Sequence, residues 1–472
     1  MADLFALLVQ SGNSLQAHSA AVATAGNNVA NANTPGYTRQ IVDLVANPAV
    51  GLIGAQAVGQ GVSVGAITQA RDAFVERQVP QTLAASGRSQ AESDALTSMS
   101  ALDPSLPGGL SSTVSQFYTA LGTLSQNPGD LSLRQNAVST ASNLAQSFNQ
   151  TASTIESTRD GIDSKITGDL SVINSTAHDL ADLNGQIQKT TAAGGDVNDL
   201  LDARRNAADK LSTLTGATPY TDEAGDTLMA LPGGLALVTG NSASTLSALP
   251  DATNGNHVRI LITKADGSGP NALPTAALGG EVGGLLDARD GALKTAVDSV
   301  DGFAFDLATS LNTLNAAGYA MDGSTGNTLF TIPATSVGAA SQIAVNPAVQ
   351  ADPRLLAAAT TLPAASGDNR NILAMIGTQS QALAGGNNPV ATIQKITGDF
   401  GTSSANATAT AAHDAAMVQN LTDLRNSTSG VSIDDEMINL TKAQAAYQAV
   451  SKVITTANDM LTTLMAMGIV TQ

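Results

Sequence analysis

The side chains that most often carry chemistry are sparse in this chain of 472 residues. Histidine, the usual general base near neutral pH and the commonest metal ligand, occurs as His18, His178, His257 and His413. No two of these have the close spacing of a ligand pair. Cysteine is absent, which removes disulfides, thiolate nucleophiles and thiolate-bound zinc together. Gly279, Gly280, Gly283 and Gly284 could open a phosphate loop, but that chemistry needs a following Lys and Ser or Thr, and Leu285 and Leu286 stand in their place. A turn or hinge accounts for these glycines. The run from Asp322 to Asn327 has the composition of a calcium loop and lacks its alternating oxygen ligands and closing Glu. Asp434, Asp435 and Glu436 are near enough to form an acid–base pair, yet they follow Ser432 at the start of a helical pattern, where capping and the helix dipole explain them. A hydrolase of cell-wall polymers would need a positioned acid in a cleft, and no carboxylate stands out from solvated helix faces. No catalytic, cofactor-binding or metal-binding residue is assigned, no cofactor is expected, and the chain does not read as an enzyme.

The elements that would hold such residues are helices with small side chains. Only 13% of residues are charged and 3% are aromatic, with no Trp. The 43% apolar content comes mainly from Ala, Leu, Val and Ile, which implies helices that approach closely. Acidic residues outnumber basic ones 39 to 21, for a net charge of −18. Neutralising phosphates takes a basic surface, so neither nucleic acid nor an anionic membrane is expected as a partner. No run approaches the roughly 20 apolar residues of a membrane span. The first basic residue is Arg39, and Asp3, Gln10, Asn13 and His18 interrupt the early apolar positions, so no cleavable signal peptide is read. By these rules alone the chain belongs in the cytosol.

Both ends of the chain carry a heptad rhythm. Leu4, Leu8, Ser11, Leu15, His18, Val22, Ala25 and Val29 alternate in steps of four and three. Thr34, Pro35, Gly36 and Tyr37 follow, and Pro35 disfavours a helical Thr34, so a helix of about 28 residues ends near Asn31 to Asn33. At the other end Ser432 caps a helix in which Ile433, Met437, Leu440, Gln444, Tyr447, Ser451 and Ile454 keep the same rhythm, continued by Leu461 and Leu464. Each stripe includes polar residues and is too small for a stable isolated helix, so the two are expected to meet each other or neighbouring subunits and to order on assembly.

The run from Asn27 to Arg39, through Thr34-Pro35-Gly36-Tyr37, resembles the N-terminal signature of the flagellar rod, hook and hook-associated protein family. The run Ser429 to Met437, with Leu440, Gln444 to Ala449 and Lys452 to Ile454, is similar to the C-terminal signature of that family's hook–filament junction members. The resemblance implies a structural adapter, with another axial subunit (hook protein, second junction protein or flagellin-like) as the alternative. It also implies a location outside the cell at the hook–filament junction, reached by the flagellar type III pathway without cleavage, which replaces the cytosolic reading. Implied partners are the hook protein, the second hook-associated junction protein, copies of this chain in a tubular helical assembly, and a cytosolic export chaperone on the C-terminal helix. The assembly residues carried over are Leu4, Leu8, Leu15, Val22, Val29, Thr34, Pro35, Gly36, Tyr37, Ile433, Met437, Leu440, Tyr447, Ile454, Leu461 and Leu464.

Between the ends, residues 131–189 lack Pro and place Phe148, Ile155 and Ile162, then Ile166, Ile173, Leu180 and Ile187, seven apart. This predicts a rod of about 80 Å at about 1.5 Å per residue, allowing for interruption at Gly161 and Gly168. Leu200-Leu201-Asp202-Ala203-Arg204 recurs as Leu285-Leu286-Asp287-Ala288-Arg289, each at the start of a predicted helix. Residues 226–238 and 257–264 read as strands. The expected fold is mainly α with a β-rich insert (α+β). Residues 1–40 and 430–472 form paired terminal helices, 41–215, 280–315 and 406–429 a helical bundle, and 216–279 and 316–405 a β-rich outer insert.

Overall fold

The computed structural model describes residues 2–48, 52–53, 56–57, 59–99, 109–362 and 367–469. Helix α1 spans Ala2–Ala30 and stops before the Thr-Pro-Gly-Tyr turn, whose Gly36 has φ of +79°, a value costly for any side chain. A hairpin follows, its strands β1 (Gln40–Ala46) and β4 (Val62–Gln69) antiparallel, with the short pair β2 (Leu52–Ile53) and β3 (Gln56–Ala57) near its tip. This hairpin corrects the placing of residues from 41 onward in the helical bundle: Ile41, Leu44, Val45 and Val64 are β-branched or large residues on a half-exposed ribbon, the composition strands favour.

The bundle is built from α2 (Ala73–Thr97), α3 (Leu110–Gln126), α4 (Leu131–Ala192) and α5 (Asn198–Thr215). Asp130 caps α4 by accepting from the amides of Ser132 at 2.7 Å and Leu133 at 3.2 Å. Its 62 residues make a rod of about 93 Å at about 1.5 Å per residue. Gly161 and Gly168 leave it unbroken, and the heptad residues Phe148, Ile155, Ile162, Ile166, Ile173, Leu180 and Ile187 are all buried. Phe148 meets Phe303 edge-on at 5.2 Å.

Two small antiparallel sheets lie on α4. One has the order β5 (Thr218–Thr221), β6 (Thr227–Ala230), β7 (Ala236–Thr239), β8 (Ser242–Ala243); in the other, β10 (Val258–Thr263) lies between β9 (Thr245–Pro250) and β11 (Asn271–Ala272). Asparagines of the rod satisfy their strand ends. Asn184 Nδ2 donates to the carbonyls of Thr227 and Gly240, and Asn174 exchanges two bonds with the backbone of Leu246. The chain then re-enters the bundle through α6 (Gly280–Asp287), a π-helical turn at Ala288–Leu293, and α7 (Lys294–Ala317). At Gly284 an added Cβ would lie 2.0 Å from the Arg88 carbonyl oxygen, so α2 and α6 touch backbone to backbone.

The second expected β piece, 316–405, is corrected. Among its described residues it holds only the two-residue pair β12 (Phe330–Thr331) and β13 (Ala344–Val345) and one bridge, Tyr319 to Ala359, beside the short helices α8 (Ala339–Gln342), α9 (Pro347–Ala351) and α10 (Arg370–Gly377). Its scattered apolar residues lack a period of two, and its loops are held by side chains instead of a ladder: Asn315 and Asn371 bond the backbone of Ala357, and Asp301 accepts from the amides of Gly338 and Ala340. Helix α11 starts at Pro389, with Asn388 accepting from the Ala391 amide, and runs to Ser429. A boundary at 405/406 therefore falls inside a helix. The last helix, α12, spans Ile433–Ile469.

Candidate assembly site

Helices α1 and α12 lie against each other, and their sense follows from one buried carboxylate. Glu436, in the first turn of α12, is 3% exposed and accepts from Asn28 Nδ2, near the end of α1, at 3.1 Å. The helices are therefore antiparallel. Arg39 Nε donates to the other oxygen of Glu436 at 2.7 Å. Tyr37 donates its hydroxyl to Asn28 Oδ1 at 2.8 Å, and the same oxygen accepts from the Gln40 amide. Desolvation, with Asp199, Asp202 and Glu436 adding repulsion, pushes the Tyr37 phenol up to about 12.

The turn after α1 is docked on the bundle. Arg205 of α5 donates to the Gly36 carbonyl at 2.5 Å and to Thr38 Oγ1 at 2.7 Å. Asp202 accepts from the Thr38 amide at 2.9 Å and from its hydroxyl. Arg39 N also donates to the carbonyl of Ser429, so the ends of α1 and α11 are tied at one place. Thr34 and Pro35 are exposed in this turn, and Tyr37 is half-buried.

The helix pair meets through mainly small and polar side chains. Ser11, Ser14, Ala17, Thr24, Ala25 and Asn28 are the buried positions of α1, while Leu4, Leu8, Leu15, Val22 and Val29 are half-buried. On α12 the inward positions are Glu436, Leu440, Ala443, Ala446, Val450, Ile454, Ala457 and Leu461. Of the expected residues, Leu440, Ile454 and Leu461 lie on this side. Ile433, Met437, Tyr447 and Leu464 do not: they are 39–49% exposed. The rhythm on α12 is set one residue earlier at several steps, because alanines let the helices approach and Glu436 is fixed by Asn28 and Arg39. The larger side chains turn outward, joining Ile438, Val453, Met460 and Met465 on α12 and Phe5 and Val9 on α1, all more than 40% exposed.

Asn28, Arg39, Glu436, Asp202 and Arg205 were missed by the heptad reading. The signal available for Glu436 was its place among capping acids, where a solvated role was sufficient. Among the described residues, the one histidine that meets carboxylates is His257: Nδ1 is 2.9 Å from Asp163 and 3.8 Å from Asp160, and Nε2 is 3.2 Å from Glu156. Sequence spacing could not show this, since helix α4 and the start of β10 bring the groups together. Asp163 is already bonded to Arg289 and to the Val258 amide, so the cluster serves as a polar joint between rod and sheet. The repeated pentapeptide has a matched use here. Arg204 spans from Asn184 on α4 to the Gly225 carbonyl beside the first sheet, and Arg289 spans from Asp163 on α4 to the Val258 carbonyl of the second. The aspartates bond arginines at α2, Asp202 to Arg71 and Asp287 to Arg88.

Among the described residues no helix is long and apolar enough to cross a membrane. Residues 100–330 match the family model of the flagellar hook-associated protein FlgK helical domain. Residues 425–467 match the C-terminal model of the flagellar basal body rod FlgEFG proteins, and residues 10–38 that of the flagella basal body rod protein. Flagellar hook-associated protein 1 of Salmonella typhimurium is 28% identical over 324 residues, and that of Escherichia coli 29% over 330; each alignment covers 67% of this chain and 58% of the relative. The chain thus spans less than two thirds of the length of these relatives. Flagellar hook-associated protein 1 of Bacillus subtilis is 25% identical over 498 residues, 98% of both chains. In fold, the chain is similar to the flagellar hook junction protein FlgK from Burkholderia pseudomallei, with a TM-score of 0.67 at 17% identity over 75% of this chain and all of the other. With the FlgK helical domain through its centre and rod-protein signatures on the two helices that pair at Glu436, the chain belongs to the flagellar hook-associated protein FlgK family.

Proposed function

We propose that this chain is a non-catalytic structural subunit of the external flagellum that joins the hook to the filament. The observation that carries the reading is the outward apolar face of the α1–α12 pair, from Phe5 and Val9 to Met437, Tyr447 and Met460. A face of that extent on a monomer calls for a partner surface, and copies of this chain around a tube supply one. The hook protein below and the second junction protein above are the proposed end partners. Before assembly the same face needs cover, which is the proposed role of an export chaperone on α12, with the uncleaved N-terminal region as the type III signal. The proposed units are the terminal pair (1–40 and 430–472), the helical bundle and an insert carried outward on α4. Within this scheme the proposed assembly residues divide: Leu440 and Ile454 hold the pair together, and Met437, Tyr447 and Leu464 meet other subunits.

Replacing Leu440 and Ile454 with Asp tests this. Two half-buried aliphatic groups worth roughly 1.5 to 3 kcal/mol each when fully buried are exchanged for charges, while the bundle core lies elsewhere. Cells carrying the double variant are expected to make a folded protein that fails to join the hook, and to release flagellin into the medium. Normal filaments on these cells would remove the assembly role from the terminal pair.

A further inference from the structure

A cleft of about 580 Å³ lies between the N-terminal half of α2, helix α5 and the edge strand β5. It is the arginine-rich place in an acidic chain: Arg71, Arg77, Arg204 and Arg205 line it, with only Glu76 and Asp209 as lining carboxylates. Both carboxylates are already engaged, since Arg425 of α11 reaches Glu76 at 3.0 Å and Asp209 at 2.8 Å. Asp202 behind the cleft is taken by Arg71, Arg205 and Thr38, and Asp226, which attracts Arg204, is bonded by Gln188. Arg77 is exposed and has no ion pair among the described residues. The Nε of Arg205, whose side chain is 10% exposed, is buried with no hydrogen-bond partner among them. Burial holds the Arg205 guanidinium below its ordinary value, even with Glu76 and Asp202 attracting it. An exposed, unpaired arginine in a cleft lined by three further arginines is a receptor for carboxylate.

The same end of the molecule presents the complementary group. Asp434 and Asp435 are exposed in the first turn of α12 and make no ion pair among the described residues. Arg425, bonded to two lining residues of the cleft, precedes Asp434 by nine residues, six of them helical, so cleft and carboxylates lie within about 20 Å of each other along the chain.

We propose that the cleft between α2, α5 and β5 receives the Asp434–Asp435 pair of a second copy of this chain. The contact rests on the tubular assembly proposed above and gives it a lateral interface distinct from the apolar faces of α1 and α12. It is built of charge-assisted hydrogen bonds, so it aligns neighbours and weakens with salt.

The natural chain has no cysteine, which allows a direct test. The variant carrying Arg77→Cys and Asp434→Cys is expressed in cells lacking the natural chain, and isolated flagella are oxidised and run without reductant. A ladder at multiples of the chain mass is expected, with each single variant giving at most a dimer. A second pair of strains carries Arg77→Asp alone and Arg77→Asp with both Asp434→Arg and Asp435→Arg. Filament attachment is expected to be lost in the first and regained in the second. If the chain is present in the flagella but no ladder forms, or if Arg77→Asp assembles normally, the lateral contact is overturned while the adapter role stands. Absence of the chain from flagella would overturn the adapter role itself, and this contact with it.

Discussion

Glu436→Ala isolates the joint between the terminal pair and the rest of the molecule. The carboxylate is 3% exposed and accepts from Asn28 Nδ2 and Arg39 Nε. Hydrogen bonds to charged groups contribute about 1.5 to 3 kcal/mol, and breaking a buried ion pair costs about 3 to 5 kcal/mol. Two features lower the cost here. The Arg39 side chain is 27% exposed and regains water, and Asn28 Nδ2 keeps its bond to the Gln40 carbonyl at 2.8 Å. About 2 to 3 kcal/mol is therefore expected, lost from the docking of α12 on α1, because among the described residues of α12 only Glu436 and Ala457 are fully buried. That converts to a rise of roughly 30- to 150-fold in the opening of α12. Amide hydrogen exchange on the full-length chain reads it directly: peptides from 436–461 should exchange faster by that factor, with α4 peptides unchanged. Glu436→Gln keeps the shape and one acceptor and should fall between. Exchange of α12 within about threefold of the natural chain in Glu436→Ala would refute the assignment of the joint to this carboxylate.

Three further outcomes test the bundle. Tyr118 is 3% exposed, its hydroxyl 2.8 Å from Thr378 Oγ1, and burial pushes the phenol up from 10.0 to about 12. A raised value means its contribution is intact below about pH 10 and is lost as the pH rises through about 12, by at most about 3 kcal/mol; the stability difference from Tyr118→Phe, measured by urea denaturation, should shift by that amount across this window. Gly284→Ala should lower bundle stability by about 2 kcal/mol or more by forcing α2 from α6, whereas Gly161→Ala, with nothing within 4 Å of the added Cβ, should raise it by about 0.5 to 1 kcal/mol in the same assay.

What could be read from the sequence depended on whether a local period determined the outcome. The rod α4 was legible because Phe148, Ile155 and Ile162, then Ile166, Ile173, Leu180 and Ile187, repeat every seven positions and all seven are buried. The start of α12 was legible because Ser432 Oγ does accept from the Asp435 amide, at 3.3 Å. The strands within 226–238 and 257–264 were legible from apolar runs between turns. The segment 316–405 was not, since its backbone is satisfied by Asn312, Asn315, Asn346 and Asn371, whose long-range partners lie 12 to 42 positions away and leave no periodic trace. The terminal seam was half legible. A heptad scan weights large side chains, and in α12 Ala443, Ala446 and Ala457 share the intramolecular face with Leu440, Val450 and Ile454 while Met437 and Tyr447 are left outside.

That division has a physical consequence for how a single subunit can serve an assembly. A seam whose fully buried positions are mainly Ser, Ala, Thr and Asn, with Leu440 and Ile454 half-buried, gains less from area burial than an aliphatic core, so its register rests on directional bonds at one end, those of Glu436 with Asn28 and Arg39. Many of the large apolar groups, which carry most of the available burial energy, remain free for other molecules. The bundle follows the opposite rule. There the large groups are spent internally along α4, and polar residues fix what the rod carries outward, Arg204 and Asn184 for one sheet and Arg289, Asp163 and His257 for the other. Intramolecular hydrogen bonds thus set orientation both in the terminal pair and on the rod, and among the described residues ten of the 26 exposed large apolar side chains fall on the two terminal helices. A rigid core with an adhesive end suits the adapter proposed above, which would hold one shape in two lattices and acquire most of its binding energy only when neighbours arrive.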